Sequence, residues 1–565
     1  MRPSYSKSNK GKLSAWYTAK LLALLSLGLA TVGNIPLWVK LARLPEMNDW
    51  RAAWFGLLFA ILIAALHMMV LSLLNWRWII KPVVALFLLA AAIGGYFMYS
   101  YGVVIDTTMM TNVVQTDWLE TRDLLSWELL ATVFAFALLP TLWFWKKRLP
   151  YQPFWHQLRQ NVLLFLASAV LALLAIVPNY QDLASTMRNH MQLRFMVNPL
   201  NSLYAASQLV FQPAYIESHA IEELGRDAKL HSSYSNQTES PLLILVVGET
   251  ARSGNFGING YELNTTPHLA QLQKNADKRG ELTSFNNVWS CGTSTAIALP
   301  CMFSHLDKTK FEENAGTIEN LVDVLHHAGL AVLWLENQSG CKGICDRVPN
   351  FITRNLPDTT LCSTGDCFDE IMLSQISERL AALPIDRLHR GIVVIMHQMG
   401  SHGPAYYKRS PDALKKFKPE CATNILQNCT RVQVINAYNN SIVYTDYFLH
   451  KVVEYLKNIQ PQAQTAMLYV ADHGESLGEN NIYLHGLPYA IAPDVQKRIP
   501  WIQWLSNEFM ARQRIQPSCL QKQQNIKLSH DNYFHSVLGL MGVKTSVYNA
   551  DLDVFAKCQK LSTAN

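Results

Sequence analysis

The stretch "LLILVVGET" (242–250) decides the fold of the larger part of this chain. Six aliphatic residues run without a polar interruption and end in Gly248, Glu249 and Thr250. A run this short and this apolar reads as a strand buried on both faces, as in a parallel sheet. Three more runs have the same character: "LAVLWL" (330–335), "GIVVIM" (391–396) and "TAMLYV" (465–470). Helical patterns separate them, among them "TIENLVDVLHHAG" (317–329) and "VYTDYFLHKVVEYLKNI" (443–459). This alternation predicts an α/β domain with a parallel sheet covered on both faces. No internal repeat is visible.

The residues just past each strand carry the functional signal, because sites in open α/β sheets gather at the carboxyl ends of the strands. There the sequence sets Glu249, then Glu336 and Asn337, then His397 with His402 close behind, then Asp472, His473 and Glu475. Glu249, Asp472 and His473 are oxygen and nitrogen donors of the kind zinc accepts, and three protein ligands leave a position open. A hydroxyl entering that position would lose its proton more readily. "SCGTSTAIALPC" (290–301) offers Thr293, Ser294 and Thr295 at a predicted helix start, where backbone N–H groups and the helix dipole favour anions. Two readings follow: an alkoxide nucleophile for phosphoryl transfer, or a helix cap in a disulfide-closed turn. The ligands downstream favour the first. Sequence physics leaves the choice among the three hydroxyls open. His397 reads as a core histidine bonded to backbone, and Glu475 as a hydrogen-bond partner orienting His473.

Working back toward the N-terminus, five apolar runs lie near 21–39, 52–74, 83–104, 124–145 and 161–177. Each approaches the ~20 residues a helix needs to cross a bilayer. The first could pass for a cleaved signal peptide, but four further spans favour a retained anchor. Eleven Lys and Arg fall in the N-terminal segment and the second and fourth connectors, against four in the first and third. Positive-inside reasoning puts the N-terminus in the cytoplasm and everything after residue 178 outside. Eleven of the 15 tryptophans precede residue 178, mostly near run ends, as an interfacial belt requires. The net charge of +6 is modest, and no basic run with interleaved aromatics occurs, which excludes nucleic acid as a partner.

All ten cysteines lie at or after residue 291, in the outer part, as an oxidising compartment would produce. Close spacing suggests the pairs 291–301, 341–345, 362–367 and 421–429, leaving 519–558. The absence of any CxxC pair argues against a zinc cluster. The expected domains are a five-helix transmembrane domain (1–178), an amphipathic membrane-surface linker (179–238) and a catalytic domain (239–565). The linker contains "MRNHMQLRFMVNPLNSLYAASQLVFQPAY" (187–215), read as one or two surface helices, and ends near the polar loop "HSSYSNQTES" (231–240).

Four motifs, "VVGETARSGNFGINGY" (246–261), "SCGTSTAIALPCMFS" (290–304), "HQMGSHGPAYYKR" (397–409) and "DHGESLGENNIYLHG" (472–486), resemble the phosphoethanolamine transferases of Gram-negative bacteria, the family of the mobile colistin-resistance enzymes. The resemblance covers the whole chain. It implies a five-span membrane domain and a periplasmic domain of the alkaline phosphatase/sulfatase type. It implies zinc held by Glu249, Asp472 and His473, with Thr295 as nucleophile and fourth ligand. It further implies that Lys342, His402 and His485 line the substrate site, toward a second zinc or the phosphate, and that His402 or His485 protonates the leaving group. "MTNVVQTDWLE" (110–120) resembles the family's outer loop between spans three and four, with Asn112, Thr116 and Glu120 gripping the ethanolamine side of the donor. The implied enzyme is a monomer in the inner membrane. It moves phosphoethanolamine from phosphatidylethanolamine to a lipid A phosphate through a covalent phosphothreonine-type intermediate, and so confers polymyxin resistance. Kdo, heptose or another glycan as acceptor, or hydrolysis of the donor, are the alternatives; a non-catalytic scaffold is disfavoured by the intact ligand set. Cys301 is followed by Met-Phe-Ser-His, not by the x-Pro-x-Arg of a formylglycine sulfatase, so that chemistry is excluded. An alkaline phosphatase would bring more metal ligands than these, which leaves a second metal site open.

Overall fold

A computed structural model describes residues 10–45, 47, 50–211, 221–231, 240–274, 280–314, 318–363, 366–459 and 463–559. By its internal contacts the chain forms two compact units, Met1–Met110 with Leu125–Phe211, and Thr111–Leu124 with Gln212–Asn565.

In the first unit five helices are long and apolar enough to span a membrane: Tyr17–Ala42, Trp50–Leu73, Ile80–Tyr101, Trp127–Trp145 and Phe154–Asn189. Five were expected, and their ends shift by a few residues, most at the fifth, which starts at Phe154 and ends at Asn189. The fourth starts later than 124 because Ser126, in extended conformation, caps it and accepts from Leu129 N. The fifth runs past 178 through the 3₁₀ turn Val177–Asn179 to Asn189, so the expected domain boundary falls inside a helix. Pro178 opens that turn, where its missing N–H costs nothing. Two further helices, Gln192–Phe195 and Leu200–Phe211, occupy the expected amphipathic segment. It is pinned by a buried pair of asparagines. Asn198 N donates to Asn34 Oδ1 at 2.8 Å, Asn34 Nδ2 donates to Asn198 O at 2.6 Å, and Asn198 Nδ2 donates to Ala91 O at 2.8 Å. Polar groups at this depth have no water to fall back on, so they bond one another. The basic residues Arg2 and Lys7, the chain 212–215 and most of the polar loop 231–240 lie outside the described residues.

The second unit is built on an eight-stranded sheet. In chain order its strands are β1 (Leu242–Gly248), β2 (Gly280–Trp289), β3 (Ala331–Glu336), β4 (Asn350–Ile352), β5 (Ile392–His397), β6 (Thr465–Ala471), β7 (Arg498–Ser506) and β8 (Leu528–Ser529). They lie in the order β8-β2-β7-β6-β1-β5-β3-β4. The four apolar runs are the four central parallel strands β6, β1, β5 and β3. The sheet as a whole is mixed, not parallel: β7 runs antiparallel to both β6 and β2. Neither β2 ("GELTSFNNVW") nor β7 ("RIPWIQWLS") has an unbroken apolar run, so periodicity did not reveal them. The buried Gln503 of β7 accepts through Oε1 from Trp501 Nε1 at 3.1 Å, while its Nε2 has no hydrogen-bond partner among the described residues. The helix expected over 443–459 extends to Arg431–Ile459. Lys229–Leu230, inside the segment expected as linker, pairs with Val543–Lys544 and so belongs to this unit. All five disulfides have the expected partners.

Register decides where the site falls. His397 lies opposite Val247 on one side and Glu336 on the other, and Gly248 lies opposite Ala471. Glu249, Glu336, His397 and Asp472 are thereby brought to one edge of the sheet.

Candidate active site

Glu249, Asp472 and His473 are fully buried, and their ligand atoms all lie within 4.8 Å of one another. Thr295 opens the helix Thr295–Met302 and meets this group from above. Its Oγ1 lies 2.9 Å and 3.1 Å from the two Glu249 carboxylate oxygens and 3.3 Å from His473 Nε2. Thr293 spends its hydroxyl on Leu487 O at 2.6 Å, and Ser294 Oγ is buried without a partner. Of the three hydroxyls, only that of Thr295 touches the carboxylate and the imidazole.

The donor set fits a divalent cation. Asp472 Oδ1 accepts from Thr250 N and His473 N, whereas Oδ2 is buried with no partner. His473 Nδ1 bonds Gly474 O at 2.9 Å, which leaves Nε2 facing the carboxylates, 3.4 Å from Glu249 and 3.3 Å from Asp472. Burial and the neighbouring Glu249 charge push Asp472 up to about 7. Burial works against charge on His473, but the two carboxylates overcome it and raise the ring to about 10. Two buried carboxylates with an unmatched oxygen call for positive charge. Oxygen, oxygen and imidazole nitrogen are donors that zinc accepts.

Around this group lies a cavity of about 50 Å³ lined by Thr295, Lys342, His402 and His485, by Gln338 and Ser339, and by Asn112, Gln115, Thr116 and Glu120. Every substrate-side residue expected from the sequence therefore reaches one cavity. Lys342 Nζ donates to Ser339 Oγ at 3.0 Å, and Glu120 Oε1 accepts from Gln338 Nε2 at 3.1 Å. The His402 and His485 rings stand 5.5 Å apart. Burial and the His473 charge push His485 down to about 3.

Two expectations need correction. Glu475 does not orient His473. Its Oε2 lies 3.2 Å from His485 Nδ1, because β6 ends at Ala471 and the chain turns His473 onto the Gly474 carbonyl instead. His397 is not bonded to backbone through its ring: Nδ1 pairs with the buried Glu336 carboxylate at 3.0 Å. Its Nε2 has no hydrogen-bond partner and points toward Glu249 Oε2 at 3.9 Å. The sequence reading also missed two supports. Asp369 accepts from Asn337 Nδ2, Gln398 Nε2, Met399 N and Gly400 N, and so fixes the turn that leads to His402. His530 accepts from Cys291 N and bonds Ala471 O, joining the loop before Thr295 to the strand end before Asp472. Both sit in irregular segments with no periodic signal. Gln338 and Ser339 directly follow the Glu336-Asn337 pair at a strand end, and that position was the available clue.

The fold and site define a membrane-anchored protein with a sulfatase-type α/β unit: residues 241–543 match the sulfatase family model, and residues 63–214 match that of phosphoethanolamine transferase EptA/EptB. Phosphoethanolamine transferase EptA of Escherichia coli K12 is 39% identical over 498 residues, covering 87% of this chain and 88% of that one. Phosphatidylethanolamine transferase Mcr-1 of Escherichia coli is 34% identical, covering 88% and 92%. The solved structure of the integral membrane lipooligosaccharide phosphoethanolamine transferase A of Neisseria meningitidis superposes with a TM-score of 0.90 at 34% identity, covering 96% of this chain and 99% of that chain. This chain belongs to the EptA family of phosphoethanolamine transferases.

Proposed function

We propose that this protein transfers phosphoethanolamine from phosphatidylethanolamine to a phosphate of lipid A, with Thr295 as the nucleophile. The observation that carries the reading is the Thr295 hydroxyl in contact with both Glu249 and His473 at the carboxyl edge of the sheet. The working protein is a monomer of the inner membrane: a transmembrane domain, a membrane-surface linker, and a zinc-dependent catalytic domain that faces the periplasm. Glu249, Asp472, His473 and Thr295 would hold one zinc ion, which when bound makes a neighbouring hydroxyl more acidic and draws off phosphoryl charge.

The protein's own groups do the rest. Glu249 holds the Thr295 hydroxyl toward the cavity. Lys342 supplies a cation for the donor phosphate, and Asn112, Thr116 and Glu120 receive the ethanolamine end, where the Glu120 carboxylate suits an ammonium group. Thr295 Oγ1 forms a bond to phosphorus as the bond from phosphorus to the diacylglycerol oxygen breaks. The Thr295 hydroxyl gives up its proton to water as its bond to phosphorus forms, and the departing diacylglycerol oxygen takes one from His402 or His485. A lipid A phosphate oxygen then attacks the same phosphorus and frees Thr295. The product surface is less anionic, which weakens its Coulomb attraction for polymyxins.

The test is mass spectrometry of lipid A from Gram-negative cells that express the chain, beside a Thr295→Ala version. One added phosphoethanolamine with the intact threonine alone is the expected result. The unit found on Kdo, heptose or another glycan would move the acceptor. Diacylglycerol release with no modified acceptor would make the protein a hydrolase. An active alanine version would remove Thr295 from the chemistry.

A further inference from the structure

The short segment Thr111–Leu124 packs within the catalytic unit and supplies Asn112, Gln115, Thr116 and Glu120 to the cavity beside Thr295. Besides the Gln338–Glu120 hydrogen bond inside the cavity, ion pairs outside it hold the segment. Asp117 Oδ2 pairs with Arg354 Nη1 at 2.7 Å, while its Oδ1 accepts from Glu120 N at 3.0 Å and so sets the turn that carries Glu120. Asp123 pairs with Lys408 Nζ at 2.5 Å and with Arg409 Nη2 at 3.3 Å, and its carbonyl accepts from Asn424 Nδ2 at 2.7 Å. Arg409 in turn donates through Nε to His402 O at 2.9 Å. One acidic residue is therefore latched at each end of the turn, and the second latch connects directly to the residue that carries a cavity imidazole.

The two ends differ in exposure: the Asp117 and Arg354 side chains are 22% and 19% exposed, so water competes for that pair, whereas Asp123 and Arg409 are buried.

We propose that Asp117 and Asp123 are positioning residues: their ion pairs with Arg354 and with Lys408 and Arg409 form a latch that seats segment 111–124 over the donor headgroup. The proposal rests on the transferase reading for its substrate. With the latch weakened, Asn112, Thr116 and Glu120 spend more time away from the cavity, and donor binding suffers before the chemical step does.

The experiment uses the purified full chain in detergent with phosphatidylethanolamine as the donor and lipid A as the acceptor. It compares wild type, Asp117→Arg, Arg354→Asp and the double swap. Diacylglycerol release gives KM and kcat, and amide hydrogen exchange reads segment 111–124. Each single reversal is expected to raise KM about tenfold with kcat within about twofold, and to speed exchange in that segment; the double swap restores both. Where a reversal lowers the melting temperature, Asp117→Asn and Arg354→Gln replace it, with an expected rise in KM of about threefold. Unchanged KM and exchange in the single variants would overturn the latch, as would a stable double swap no better than the worse single. A wild type that releases no diacylglycerol fails the transferase reading instead, and the exchange measurement still reports on the latch.

Discussion

His530 provides a pH-sensitive joint, and its effect on stability can be worked out from the structure. The ring is fully buried, with Nδ1 3.2 Å from Cys291 N and Nε2 3.0 Å from Ala471 O. The backbone amide can only donate and the carbonyl can only accept, so the ring must be neutral, with its proton on Nε2. Burial pushes its pKa down to about 4 from an ordinary value of 6.5. A histidine depressed in the folded state binds fewer protons there than when unfolded, so stability rises with pH through this window. The contribution is fully present above about 6.5 and is lost as pH falls toward 4. The 2.5-unit difference corresponds to about 3 kcal/mol in all, of which about 2 kcal/mol is gone by pH 5. His530→Gln keeps an acceptor and a donor but does not titrate. The assay is thermal or chemical unfolding of the full chain in detergent between pH 7.5 and 5, wild type beside His530→Gln. Other buried histidines, such as His535, also pushed down to about 4, are common to both proteins, so the difference between the two curves isolates His530. Wild type should lose about 2 kcal/mol more than the variant over this range. Parallel curves, or a steeper fall in the variant, would refute the reasoning.

Gly474→Ala should damage the site by steric means. A Cβ there would overlap the carbonyl oxygen of Val495, a backbone atom that accepts from Glu475 N at 2.9 Å. Moving that 3₁₀ turn, Asp494–Gln496, aside also disturbs Gln496, whose amide bonds Ser476 Oγ and Leu484 O next to His485. A loss of roughly 2–4 kcal/mol with a sharp fall in transfer is expected; wild-type stability and activity in this variant would contradict the packing. Removing metal with a chelator should lower the melting temperature as well as abolish transfer, since Glu249 and Asp472 then face each other with only the His473 proton between them. Zinc should restore both, and a melting temperature indifferent to chelator would argue against a metal at this triad.

Much of the site was legible because it lies at the ends of apolar strands. Glu249, His397 and Asp472 each follow or close a run that could only be a buried strand, so strand ends announced the residues even before their geometry was known. The five spans were legible for a similar reason: a bilayer demands an uninterrupted apolar length, and little else in a sequence looks like that. Local cysteine spacing carried the disulfides. Legibility failed where structure depends on distant partners. β2 mixes polar and apolar residues with no period of two, β7 is interrupted by Pro500 and Gln503, and their burial comes from neighbours far away in sequence. Asp369 and His530 stand in irregular chain, and what they hold together is defined only after folding.

By itself the sequence determined the chemical types: a buried parallel core, five membrane spans, an oxidising compartment for ten cysteines, and a set of oxygen and imidazole donors suited to a cation. Among the hydroxyls at 293–295, its physics stopped short. Tertiary structure aims Thr293 at Leu487 O and Thr295 at Glu249. It also decided that Glu475 serves His485, that His397 leans on Glu336, and that an acidic turn at 117–123 is captured by Arg354, Lys408 and Arg409. Periodicity reports which face of an element is apolar, whereas a hydrogen bond between residues hundreds of positions apart depends on strand order and register, which no local pattern encodes.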